Sequence, residues 1–271
     1  MSIRLNMQKT HVESLVITGA SSGLGLALAR HYLERGAIVA AFARRGAPLQ
    51  ALAAEFPGRV YCYALDVRDA PAVQDAANDF ITRVGCPDIV IANAGVSVGT
   101  LTEYAEDLDT FQQITDINVL GMVKTFQPFI AAMRANSSLD KGRPGGVLVG
   151  IASVAGFRGL PGAGAYSASK AAAISYLESL RVELRDSGVK VVTICPGYIN
   201  TPMTVINPYP MPFMLEADEA AKRMARAIER QAAFVVIPWQ MGLIGCLLGL
   251  LPRWLYDRLF AHAPHKPRKP I

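Results

Sequence analysis

Tyr166 and Lys170 stand four residues apart in Tyr166-Ser167-Ala168-Ser169-Lys170, a spacing that puts a phenol and an ammonium on one face of a helix. A phenol near its ordinary pKa of about 10 is a poor acid–base at neutral pH, but a cation beside it favours the phenolate. Ser153 lies thirteen residues upstream of Tyr166, just past an apolar run, where the ends of sheet strands present side chains to a ligand. Together the three can pass a proton to or from an oxygen. A lone Tyr–Lys pair at this spacing is common on helix surfaces, so the chemistry depends on what the chain places beside it.

A second signal is Thr18-Gly19-Ala20-Ser21-Ser22-Gly23-Leu24-Gly25, which runs from an apolar strand straight into a helix. Glycines let the backbone turn tightly and approach a pyrophosphate seated on the free N–H groups of a helix N-terminus. The spacing is GxxxGxG rather than GxGxxG. The end of the next strand reads Ala41-Phe42-Ala43-Arg44-Arg45 and carries no carboxylate. An acid there would bind the ribose 2′-hydroxyl of NAD(H), whereas arginine accommodates the 2′-phosphate of NADP(H). NADP(H) is therefore favoured over NAD(H).

The elements that must position these groups alternate. Apolar runs at 15–18, 37–42, 60–65, 89–92, 146–152, 189–194 and 234–237 read as strands. Helical patterns at 26–35, 48–56, 70–84, 108–134, 163–186 and 216–231 separate them. This predicts an α/β fold: a single Rossmann-type doubly wound parallel sheet of about seven strands flanked by helices, with a C-terminal apolar helical appendage. Residues 1–237 form the dinucleotide-binding and catalytic domain, and 238–271 form the appendage, which is not an independent domain.

Taken together, the Gly19–Gly25 turn, Asp66, Asn93-Ala94-Gly95, Asn118, Ser153, Tyr166 with Lys170, and Pro196-Gly197 with Thr201 make residues 13–237 resemble the short-chain dehydrogenase/reductase family. The resemblance implies an NADP(H)-dependent enzyme that interconverts a carbonyl and a secondary alcohol by hydride transfer. Tyr166 would be the acid–base, Lys170 would lower its pKa and bind the nicotinamide ribose, Ser153 would polarise the carbonyl, and Asn118 would hold a water in a relay to Lys170. It also implies that Ser21, Ser22 and Leu24 lie with the glycines against the cofactor, and that Asp66 and Val67 meet the adenine. Asn93, Ala94 and Gly95 would floor the adenosine ribose, and Pro196, Gly197, Ile199 and Thr201 would hold the nicotinamide end. Ala92 departs from the first Asn common in the family, and Ser22 stands where many NADP-preferring members are basic. The NADP(H) preference therefore rests on Arg44 and Arg45.

In this family the segment after Thr201 closes over the substrate, and here Pro202–Met214 carries four prolines among Met and aromatic side chains. With Val154–Gly162 it predicts a small hydrophobic carbonyl or alcohol substrate, lipid-, steroid- or aromatic-like. The rival within enzymes is a 3-oxoacyl thioester reductase, which would want a basic patch at the pocket mouth, and none is evident outside the tail. The rival outside enzymes is a non-catalytic NADP-sensing protein, against which the complete set Asn118, Ser153, Tyr166 and Lys170 argues. The resemblance implies a homodimer or homotetramer.

The 271 residues are 51% hydrophobic with a formal charge of +5, a mean hydropathy of +0.26 and a pI near 9.1. Residues 253–271 hold +4 of that charge, leaving +1 for residues 1–252, so no nucleic-acid surface is read. Cys62, Cys86, Cys195 and Cys246 are scattered with no CxxC pair, which suits reduced thiols and no metal site. Met1–Val12 shows no secretory signal, and the expected location is cytoplasmic. Trp239–Leu251 is uncharged but as a helix reaches only about 20 Å, short of a roughly 30 Å hydrocarbon core. Flanked by Trp254, Tyr256 and cations, it would cap the pocket, pack against a subunit, or make peripheral contact with the inner membrane face.

Overall fold

The strand-like runs are mostly apolar on both faces, as burial on both faces requires, and they pair into one parallel sheet. The computed structural model describes residues 12–139 and 145–268. The N-terminal reading up to residue 11, and Lys269 in the tail, lie outside the described residues. The strands are β1 (Ser14–Thr18), β2 (Ile38–Ala43), β3 (Val60–Ala64), β4 (Ile89–Ala92), β5 (Gly146–Ile151), β6 (Val189–Pro196) and β9 (Phe234–Ile237). Their order across the sheet is β3-β2-β1-β4-β5-β6-β9. Leu15, Val16 and Ile17 of β1 register with Val39, Ala40 and Ala41 on one side and Ile89, Val90 and Ile91 on the other. This is the doubly wound architecture expected from the alternation.

The period of two along β1 decides the layers. Leu15 and Ile17 join a core that takes in Leu28 and Leu33 of α1 (Gly23–Glu34), Leu49 and Leu52 of α2 (Gly46–Glu55), and Met224 and Ile228 of α7 (Ala217–Glu229). Val16 faces the opposite core, with Phe80 of α3 (Ala70–Arg83), Phe126 and Phe129 of α5 (Gly121–Leu139), and Leu177 of α6 (Gly164–Glu183). Helices thus cover both faces.

Three local expectations change. The first helix starts at Gly23 rather than at residue 26, so its N-terminus lies inside the glycine turn. The single long helix expected over 108–134 is α4 (Asp107–Thr115), a π-helical turn at Asp116–Leu120, and then α5. A π turn inserts a residue and re-aims its side chains, and Asn118 sits within it. Two short strands not read from sequence, β7 (Ile199–Asn200) and β8 (Leu215–Glu216), pair with each other and pin the two ends of the 201–214 segment. The appendage is two helices, α8 (Trp239–Leu250) and α9 (Arg253–Phe260). Among the described residues, no helix is long and apolar enough to cross a membrane.

Candidate active site

In a doubly wound sheet, ligands bind beyond the carboxyl ends of strands where the strand order reverses, here between β1 and β4. Thr18 ties the two ends together. Its hydroxyl accepts from the backbone N–H groups of Asn93 and Ala94, both at 3.0 Å. The Asn93 amide donates to the Thr18 carbonyl at 3.0 Å. Gly19 and Gly23 then take φ of +70° and +54°, left-handed values that glycine adopts without strain. A Cβ on Gly25 would overlap the Gly19 carbonyl, so the helix can only pass this close as glycine. Ser22 leads into α1 without a side-chain cap, which leaves helix N–H groups facing the cavity.

That cavity measures about 660 Å³, within the range of small-molecule sites. At one end it touches Gly19, Ser21, Ser22, Gly23, Leu24 and Gly25, with Arg44, Arg45, Asp66 and Val67 beside them. Its middle is Asn93, Ala94 and Gly95. Its far end is Ser153, Tyr166 and Lys170, with Pro196, Gly197, Ile199 and Thr201. Every catalytic and cofactor residue expected from the sequence therefore reaches one cavity, except Asn118; of the two segments expected around the substrate, Pro202, Met203 and Thr204 line it and Val154–Gly162 does not. Asn118 sits immediately behind, its side-chain oxygen 3.3 Å and the Lys170 ammonium 3.6 Å from where a Gly95 Cβ would be. Ala43, Leu65, Val96, Ile117, Met203 and Thr204 also line it. Met203 and Thr204 belong to the 202–214 segment expected over the substrate; the other four carry no chemical signature and were missed for that reason. For Val96, the position directly after Asn93-Ala94-Gly95 was the available signal.

At the Arg44 end, both arginines are exposed, and the Arg45 guanidinium leans to 3.4 Å from the Ser21 hydroxyl. Asp66 is held by Arg68 through both carboxylate oxygens, at 2.7–3.2 Å. The Arg68 side-chain hydrogen bond is the main cause of its carboxyl falling below the ordinary range. The uncapped helix end, the glycine cradle and the exposed guanidinium pair fit a nicotinamide dinucleotide.

At the Tyr166 end, Ser153 precedes a 3₁₀ turn (Val154–Gly156). Its hydroxyl accepts from the Ala155 N–H at 3.1 Å and donates to the Pro196 carbonyl at 3.4 Å. Asn118 is buried, taking the Val96 N–H at 2.9 Å and donating to the Val96 carbonyl and the Ser169 hydroxyl, both at 3.0 Å. Lys170 donates to the Ile151 carbonyl at 2.8 Å, and its ammonium lies 5.9 Å from the Tyr166 ring centre.

Burial pushes the Tyr166 phenol up, opposed by its hydrogen bond to Ser153. Burial also pulls Lys170 down to about 8.

Residues 13–208 match the family model described as short chain dehydrogenase. The chain belongs to the short-chain dehydrogenase family. This short-chain dehydrogenase is 39% identical over 254 residues to an uncharacterized oxidoreductase of Myxococcus xanthus, covering 93% of this chain and 97% of that one. It is 36% identical over 188 residues to the 2-dehydro-3-deoxy-L-rhamnonate dehydrogenase (NAD(+)) of a Sphingomonas species, covering 69% and 72% of the two chains. Its fold matches a short-chain dehydrogenase of Burkholderia cenocepacia in complex with NADP, with a TM-score of 0.78 and 27% identity over 94% of this chain and 99% of that one. It is an oxidoreductase with a nicotinamide-nucleotide fold, acting between alcohol and carbonyl.

Proposed function

We propose that this short-chain dehydrogenase uses NADP(H) to interconvert a carbonyl and a secondary alcohol on a substrate with an apolar body. The observation that carries the reading is that a single cavity touches Arg44 and Arg45 at one end and Ser153, Tyr166 and Lys170 at the other. The bound nicotinamide supplies the hydride. Tyr166, protonated at neutral pH, delivers a proton to the carbonyl oxygen, and the Ser153 hydroxyl donates a hydrogen bond to that same oxygen. Lys170 and Asn118, flanking Gly95, hold the ribose and the proton path behind the phenol. Arg44 and Arg45 take the 2′-phosphate, a reading consistent with the NADP bound to the Burkholderia neighbour. The Sphingomonas relative is named for NAD(+), and Arg44 is the residue at which the choice of NADP(H) is tested.

NADPH consumption over ketones graded by size and apolarity tests the reading. We expect turnover that rises with apolar size; no oxidation of NADPH with any of them overturns it. The 3-oxoacyl carrier alternative finds little support, because the tail cations near the pocket are engaged: Arg268 is paired with Asp107 and Glu106, and Lys266 is buried. Peripheral membrane contact draws support from Trp239, Leu243, Leu247, Leu250 and Trp254, all exposed on α8 and α9 beside Arg253 and Arg258. Flotation with anionic liposomes tests it, and a chain left wholly in the soluble fraction would end it. Exposed Leu108 and Phe111 on α4 and Val182 on α6 favour a homodimer or homotetramer, to be read by light scattering.

A further inference from the structure

The chain after α9 turns back across the body and brings Lys266 beside the Tyr166 ring. Arg158 donates to the Leu248 and Leu251 carbonyls at 2.7 and 3.2 Å, and its guanidinium lies 4.3 Å from the Tyr256 ring centre. The Tyr256 hydroxyl in turn donates to the Gly159 carbonyl. This clasps the α8–α9 corner to the segment that follows Ser153. Farther on, the Gly99 N–H donates to the Pro267 carbonyl at 3.0 Å. Arg268 pairs with Asp107 at 2.7 Å and Glu106 at 3.1 Å, its guanidinium 3.6 Å from the Tyr104 ring centre.

The body has glycine at the places where this strap lies down. A Cβ on Gly99 would overlap the Lys266 carbonyl, and one on Gly162 would come within 2.6 Å of the His265 side chain. Gly162 and Thr100 are themselves joined by a 3.1 Å backbone hydrogen bond. The strap therefore seats in the seam between the loop after β4 and the loop before α6, the two loops that bring Val96 and Tyr166 to the cavity.

Lys266 is the residue the strap delivers. It is 7% exposed, and its ammonium donates to the Ser97 hydroxyl at 2.8 Å and lies 5.9 Å from the Tyr166 ring centre. Among the described residues, its hydrogen-bond partner is this neutral hydroxyl, and no carboxylate pairs with it. Burying a cation without a counter-charge is costly, and here the anchors on either side hold the cost in place. Ser97 directly follows Val96, which lines the cavity with Tyr166, so the cation sits just behind that wall and is compensated when an anion arrives with the substrate. One ammonium and one hydroxyl match a single negative charge; a phosphate would call for more donors or an arginine fork.

We propose that Lys266, with Ser97, recognises a carboxylate carried by the substrate, so that the substrates are oxo or hydroxy acids with an apolar body. The inference rests on the carbonyl–alcohol reading of the site above and names its substrate class.

The test compares 4-, 5- and 6-oxodecanoate with their methyl esters as substrates for NADPH oxidation by the full chain. For at least one position of the ketone we expect kcat/KM for the acid to exceed that for its ester by about ten- to hundredfold, the scale of one charge-assisted hydrogen bond. In Lys266→Met the preference disappears through KM while kcat is kept, the pattern of lost uniform binding; Lys266→Arg retains it. Equal rates for acid and ester in the intact chain overturn the proposal without any variant. So does a Lys266→Met that lowers both substrates alike, which would make the lysine a support for the strap or for Tyr166. NADPH binding followed by fluorescence checks that each variant is folded.

Calorimetry with decanoate, in the presence of NADP(H), separates the two readings. Lys266-dependent binding of decanoate without turnover of any ketone keeps the carboxylate site and removes the reductase reading. Turnover of the esters, with no decanoate binding and no preference for the acid, does the reverse.

Discussion

At the Gly19 end of the cavity the groups come from turns directly attached to β1, β2 and β4, whereas at the Tyr166 end they come from helix α6, a π turn, the loop after β5 and a strap that is about a hundred residues away in sequence. The first end is made of backbone: positive-φ glycines, free helix N–H groups, and Thr18 latching two strands. The second is made of side chains whose ionisation depends on burial: the Tyr166 phenol is pushed up, and Lys170 and Lys266 are both pulled down to about 8. A backbone cradle recognises a cofactor shape common to many chains, and it needs little help from the rest of the fold. The side-chain end is where this chain can differ from its relatives, because each group there is set by what the distant chain packs against it.

Variants can break this comparison, beginning where the effect is largest. Tyr166→Phe should lower kcat by about a thousandfold, the usual contribution of a positioned acid–base, and leave NADPH binding unchanged. Unchanged NADPH oxidation would remove the mechanism while leaving the cradle intact. Arg44→Ala should weaken NADPH by about ten- to hundredfold and NADH little, since only the former carries the phosphate; binding titrations read it, and equal weakening would remove the 2′-phosphate assignment.

The preference for an acid over its ester should fade as pH rises. Lys266 is a cation below its pKa of about 8 and neutral above it, so the preference is full near pH 7 and falls by about tenfold per unit well above pH 8. The groups facing Lys266 are the Ser97 hydroxyl and the Tyr166 phenol. The phenol stays protonated through this window, and it also faces Ser153, Lys170 and the Cys195 thiol, which burial holds up at about 12. Lys266→Arg should keep the preference to higher pH, and rate profiles of the two chains check this. The smallest effect is expected from Arg268→Ala, which removes a partly solvated ion pair and loosens the strap without removing the cation. The preference should shrink but persist, with Gly19-end properties untouched; its total loss would mean that Arg268 alone holds the strap.

The strand pattern was legible because burial on both faces leaves predominantly apolar runs, and seven such runs fix the fold class. Gly19, Gly23 and Gly25 were legible because they form one short turn between β1 and α1, and Arg44 and Arg45 because they directly follow β2. Tyr166, Lys170, Ser153 and Asn118 were legible as a set, but not their ionisation, since burial acts through residues such as Cys195 that carry no motif. The break of the expected long helix at Asp116–Leu120 was invisible because a π turn has no composition of its own. The tail was read as a choice among capping, packing and membrane contact. The structure puts residues 265–268 against Gly99, Gly162 and Asp107, while α8 keeps an exposed apolar stripe.

The sequence by itself determined a doubly wound sheet, a glycine turn for a dinucleotide, and a tyrosine and lysine one helical turn apart, because each is written in spacings shorter than an element. Tertiary structure alone decided that Lys266, read from composition as one charge in a basic tail, would be buried beside Tyr166. The physical reason is that two glycines and an aspartate, contributed by loops far apart in sequence, make a seam that only the folded body possesses.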